Sequence, residues 1–265
     1  MVRRSFVDIL NDMKFDVQLE YNSLLRLFYY ERTENTYPTD CPYEMCAEYF
    51  RKMPFRGPYI DIMSFDRDRK FDFENKNDVS FEKLLLFCEY VYSYMCNIEK
   101  LDIHSLDQKD KIRFMKTHIE GILDRANYIF NQIGYAYEAV PKDGRVIAAA
   151  HIMNSERAKD MMHYLHRSMV GDLDGKRRIL TELASELEAK RSMLTSASSK
   201  LSSDFFNVVN NYNIRHNNVD PRSSKYQRRI ALLSNDELEE WYDRVYYMYI
   251  EAVLALERFQ YEKDI

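Results

Sequence analysis

Arg215 and His216 stand side by side within the nine-residue stretch NNYNIRHNN (210–218). A guanidinium stays charged and forks onto the oxygens of a phosphate. An imidazole has both protonation states accessible near neutral pH and can move a proton. The pair therefore suits metal-independent chemistry at a phosphodiester, with histidine moving the proton and arginine meeting the developing negative charge. Asn210, Asn211, Asn213, Asn217 and Asn218 surround it. Their amides can donate to phosphate or fix the ring's tautomer. Arg222, Lys225, Arg228 and Arg229 follow closely, against a single acid, Asp220. In a chain of net charge −5, such a local run is where a phosphate-bearing ligand is drawn. Tyr212 and Tyr226 add stacking surfaces. The structural alternative is a helix end followed by a loop, because asparagine is a poor helix former and a good turn residue. On a helix, adjacent side chains project about 100° apart. Arg215 and His216 thus converge only in a non-helical segment, or by pairing across a dimer.

Other chemistries find less support. Asp160-x-x-His163-x-x-His166 places three potential ligands near one helix face, but no Glu-x-x-His accompanies them, as a di-iron bundle requires. They read as polar residues on a partly exposed face. Cys41 and Cys46 could form half of a zinc site, but no second pair or nearby histidine completes it. Cys88 and Cys96 lie in an apolar helical pattern, where a thiol acts as a small hydrophobe. No disulfide framework is evident, which points to a reducing, cytoplasmic setting. Gly-x-Ser-x-Gly, Walker and Gly-x-Gly-x-x-Gly motifs are absent. The expected metal and cofactor complement is none. The N-terminal MVRRSFVDILNDMKFD lacks the apolar run of a secretory signal, and the most apolar stretch, 84–98, is too interrupted to span a membrane.

The elements that must hold this segment read as helices. Glycine and proline number six each, too few for a turn-rich β fold. Residues 4–32 carry apolar positions at helical spacing. Residues 33–79 hold Pro38, Pro42, Pro54 and Pro58 and read as an irregular insertion. Within it, 43–53 suits a short helix, and Ile60-x-Ile62 with Phe71-x-Phe73 suggests a small hairpin. Ser80 is an N-cap for 81–98. Ser105 and Gln108 form a capping box for a helix reaching Ile133, closed by Gly134 and the 141–144 turn. Helix then covers 145–169. After the 171–175 break, Asp174 caps a long helix on which Leu180, Leu187, Leu194 and Leu201 recur every seven residues. Ser234 and Glu237 box a last helix running to about 260. The expected fold is all-α: a bundle of long helices at 80–265, with the first helix and the Pro-rich segment (1–79) packed on it.

The 210–229 segment and its place before the final helix resemble the HEPN superfamily, small helical domains of bacterial toxin–antitoxin, abortive-infection, antiviral-defence and RNA-processing systems. Members carry an arginine, then a polar residue, then three to five residues, then a histidine. Arg215 and His216 fit the first two places. Asp220 stands where the nearest distal histidine belongs, and no histidine follows His216. The resemblance covers about residues 80–262. It implies RNA as substrate or ligand, a ribonuclease in which a 2′-hydroxyl attacks the adjacent phosphate, and a homodimer with facing motifs. Without the distal histidine it implies a domain that binds without cutting. The alternative function is a non-catalytic helical interaction or regulatory protein that holds a protein partner.

Overall fold

The computed structural model describes residues 15–30, 41–101 and 105–263. The chain is mostly helical, with one small two-stranded sheet among the described residues. It divides into two compact units, 1–139 and 140–265. The sequence places the boundary near residue 79 instead. The 81–125 region accounts for the difference, because its apolar faces are buried in the core of the first unit.

In that unit α1 (Val17–Tyr29), α2 (Pro42–Tyr49), α3 (Ile62–Arg69) and α5 (Leu106–Arg125) accompany α4 (Phe81–Glu99). α4 is the spine, burying Leu84, Leu85, Phe87, Cys88, Val91, Met95 and Ile98. Tyr21, Leu24 and Phe28 of α1, Cys46 of α2, and Ile112, Met115 and Ile119 of α5 belong to the same cluster. Each such side chain contributes about 1.5–3 kcal/mol by leaving water. Both expected caps form: Ser80 Oγ accepts from Lys83 N–H, and Ser105 and Gln108 satisfy one another's backbone. The portion of the first expected helix before residue 15, and Pro38, lie outside the described residues.

Two elements differ from expectation. No hairpin forms over 60–73: residues 62–69 are a helix instead. Asp61 caps α3 through Ser64 N–H, and Lys70 closes it with φ +59. Phe71 and Phe73 are held by packing instead: Phe73 stacks 4.4 Å from Phe87, and its carbonyl accepts from Tyr21 Oη at 2.6 Å. Conversely, the helix expected to reach Ile133 stops at Arg125. Asn127 turns the backbone into the left-handed region at φ +61, and a hairpin follows: β1 (Tyr128–Ile133) and β2 (Ala136–Pro141). Gly134, at φ +59, opens the two-residue loop, a place that favours glycine. One buried stripe of α4 explains the hairpin's seat. Glu89 accepts from Ala139 N–H, Ser93 accepts from Tyr137 N–H, and Asn97 donates to the Tyr135 carbonyl. The polar residues that interrupt the apolar run of α4 thus satisfy the backbone of β2.

The second unit holds α6 (Gly144–Ile152), α7 (Ser155–His163), α8 (Leu173–Ala189), α9 (Arg191–Ala197), α10 (Ser199–Asn211), α11 (Arg228–Ala231) and α12 (Asn235–Lys263). Asp172, two residues earlier than expected, caps α8 through Gly175 N–H. The heptad leucines do not share one long helix. They fall on α8, α9 and α10, with junctions at Lys190 and at Ser198, whose hydroxyl starts a new cap. Serines 192, 196, 198 and 199 crowd this stretch, and serine competes for nearby backbone. α12 buries Leu238, Tyr242, Val245, Tyr246, Tyr249, Ile250, Val253 and Leu256 and packs on α6, α8, α9 and α10. Lys176, nearly fully buried, pairs with Glu239 at 2.8 Å and Asp243 at 2.7 Å. No helix among the described residues is long and apolar enough to cross a membrane.

Candidate functional site

The 210–229 segment leaves α10 at Asn211 and runs without regular structure to α11. It is non-helical around Arg215 and His216, one of the two arrangements that convergent chemistry requires. α10 ends because Asn213 adopts φ +59, a conformation asparagine tolerates better than most residues. The chain then folds back: Arg215 N–H donates to the Val209 carbonyl at 3.1 Å. Ile214 is buried as the anchor of the turn. Its carbonyl accepts from Arg177 Nε at 3.1 Å and from Thr181 Oγ1 at 3.3 Å.

Asn218 is the keystone of the loop and is fully buried. Its Oδ1 accepts from Asn213 N–H at 2.8 Å, and its Nδ2 donates to the Lys225 carbonyl at 2.8 Å. Asn213 returns the contact, its Oδ1 accepting from Asn218 N–H. Gln227 N–H reaches the Asn218 carbonyl, and Gln227 Nε2 donates to Asn211 Oδ1 at 2.6 Å. Asn211 also donates to Asn207. Tyr242 of α12 donates to the Asn213 carbonyl. Asn211, Asn213 and Asn218, expected to bind substrate, are thus occupied in closing the loop. Asn217 is exposed and accepts from Asp220 N–H, while Asn210 is half-buried near the end of α10.

Arg215 is likewise engaged. Nη1 donates to Glu188 at 2.6 Å, Nη2 donates to the Ala184 carbonyl at 3.0 Å, and the guanidinium lies 5.9 Å from the Phe206 ring centre. Its side chain is only 20% exposed. The Arg215 guanidinium, with help from Arg191, holds the Glu188 carboxyl below its usual range. The fork expected to grip phosphate is therefore filled by α8. His216 is half-buried beside it.

The remaining cations form an exposed ridge. Arg222 folds onto Asp220, whose carboxyl is lowered by the Arg222 backbone N–H and guanidinium. Lys225, Arg228 and Arg229 are exposed, and none takes part in an ion pair among the described residues. Tyr226 is also exposed, whereas Tyr212 packs 4.1 Å from Trp241. Of the ligand-like triplet on and just after α7, Asp160 pairs with Arg157, while His163 and His166 stay together, their rings stacked with centres 6.1 Å apart, and His166 also meets Ser168 and Arg167.

Glu188, the Ala184 carbonyl, Phe206, Thr181 and Arg177 complete the site and were invisible in the linear pattern. All but Phe206 come from α8, a helix distant in sequence that the α8–α10 packing brings to Arg215. No protein-family model, curated protein or solved structure matches the chain.

Proposed function

We propose that the chain is a non-catalytic helical interaction protein that docks an acidic protein partner through the ridge of Arg222, Lys225, Arg228 and Arg229. The observation that carries this reading is the filled guanidinium of Arg215. A phosphate at that fork would have to displace both Glu188 and a backbone carbonyl. The loop instead closes on itself through its own hydrogen bonds and presents an outward face that is basic and can attract an anion. The four cysteines are free and buried, in keeping with a reducing, cytoplasmic setting.

The test is fluorescence anisotropy with a labelled glutamate-rich peptide and a labelled single-stranded RNA of equal charge, at two salt concentrations. The peptide binds, and alanine at all four ridge positions removes binding while His216→Ala leaves it unchanged. Peptide affinity equal for wild type and ridge variant overturns the reading.

A second reading is an RNA-directed HEPN-type helical bundle acting as a homodimer, the arrangement in which two His216 side chains could face one another. Exposed Tyr226 between Lys225 and Arg228 favours it, since an aromatic face among cations suits an unstacked base. RNA binding at least ~tenfold tighter than the peptide, lost in Tyr226→Ala, would select it.

A further inference from the structure

A cleft of about 380 Å³ opens in the first unit, lined by none of the 210–229 residues. Tyr29 of α1 and Tyr43 of α2 line it with ring centres 4.9 Å apart. Phe71 and Phe73 line it too, stacked with centres 5.7 Å apart. Asp66 of α3 also contributes to the wall, half-buried. Its Oδ1 accepts from Tyr90 Oη at 2.9 Å, and no cation pairs with it among the described residues. Exposed Asp72 and Glu74 lie at the rim, with Glu74 also accepting from Tyr30, while Arg67 is the one cation among the lining residues.

The chemistry of this wall is selective. Aromatic faces carry negative potential and attract a cation that sheds water easily. Small hard metal ions want six or more oxygens at close range, and here the Asp66 and Glu74 carboxylates already accept from Tyr90 and Tyr30. An anion meets three carboxylates against one guanidinium. A neutral apolar guest leaves Asp66 desolvated without compensation. We propose that this cleft binds an alkylated ammonium group, with Tyr29, Tyr43 and Phe71 around the methyl groups, Phe73 backing them from the core, and Asp66 as counter-charge. Burial pushes the Asp66 carboxyl up to about 6, and a bound cation reverses that by favouring the charged form. Binding therefore weakens as pH falls below about 6, and it releases protons near that pH. Of the groups facing Asp66, the tyrosines and the buried Cys46 thiol of α2, pushed up by burial, remain neutral there. Asp72 and Glu74 reinforce the cation's field, and Arg67 at the rim opposes it.

Isothermal titration of the full chain tests this with choline, Nε-trimethyllysine and 3,3-dimethylbutan-1-ol, the uncharged analogue of choline. The first two bind saturably at pH 7.5, and the neutral alcohol binds at least ~tenfold more weakly, as a cation–π site requires. Tighter binding of trimethyllysine than of choline identifies a protein side chain as the source of the group; the reverse identifies a free small molecule. Asp66→Asn, which keeps shape and the Tyr90 contact, weakens binding by ~tenfold and removes its pH dependence. Phe71→Leu weakens it with little change in melting temperature. Absence of saturable heat with both cations, equal affinity for the alcohol, or unchanged affinity in Asp66→Asn overturns the proposal.

Discussion

Arg215 and Asp66 are opposite solutions to a partly buried charge. Arg215 is compensated on every side, by Glu188, a backbone carbonyl and an aromatic ring. Asp66 has one hydroxyl donor and no cation among the described residues, and burial holds its carboxyl high. A compensated charge organises its own loop and has little left for a ligand. An uncompensated one costs stability and is open to an external partner. The conspicuous motif of the sequence thus sits at the compensated site, and the inconspicuous aspartate sits at the open one.

The largest effect expected is at the keystone of the compensated site. Asn218→Ala strands the buried Asn213 N–H and the part-buried Lys225 carbonyl and should cost about 2–3 kcal/mol in urea unfolding. Asn217→Ala, on the exposed side of the same loop, should stay within about 0.5 kcal/mol. Equal effects would dissolve the distinction between scaffold and surface.

Arg215→Ala follows, at about 1–2 kcal/mol, because Glu188 keeps Arg191 and is itself well exposed. Pairing it with Glu188→Ala in a double-mutant cycle should show coupling of about 0.5–1 kcal/mol. Glu188 is depressed in the folded state, so its contribution is present above the ordinary glutamate range. That contribution is lost as pH falls through the lowered value. The coupling measured at pH 7 should therefore persist through the ordinary glutamate range and weaken only below it.

Asp66→Asn should move the other way, stabilising the protein at pH 7.5 by about 1 kcal/mol once its partial exposure is allowed for. The sign follows from the raised carboxyl: between its ordinary 3.8 and about 6, the folded chain holds a proton the unfolded chain has released. Asp66 therefore makes wild-type stability rise as pH falls through about 6, and the substitution should flatten that rise in melting temperature. Destabilisation at pH 7.5 would show that Asp66 is compensated after all.

The smallest effect on stability is expected on the ridge. Arg228→Glu with Arg229→Glu should change unfolding by no more than about 0.5 kcal/mol while abolishing the acidic-peptide complex.

Local chemistry made much of the helical content legible. Ser80, Ser105 with Gln108, and Ser234 with Glu237 mark helix starts by the types that can bond orphan N–H groups, and each does so. Failures arose where a distant partner decides. Ile129 and Ile133 keep helical spacing, yet Glu89, Ser93 and Asn97 some forty residues away hold 135–139 as a strand edge. Phe71 and Phe73 alternate like a strand but answer to Phe87 and Tyr21. At the candidate site the composition located a loop with an exposed basic face. It could not show that Arg215 faces inward, because Glu188 lies 27 residues earlier on a helix that announces no such contact.

The most direct test of the structural role given to Arg215 is a cleavage assay. Full-length chain is incubated with a defined single-stranded RNA in EDTA, beside Arg215→Ala and His216→Ala. The filled fork predicts intact RNA in all three reactions, with Arg215→Ala distinguished only by its lower melting temperature. Metal-independent cleavage by the wild type, lost in both variants, would contradict it and return Arg215 and His216 to catalysis.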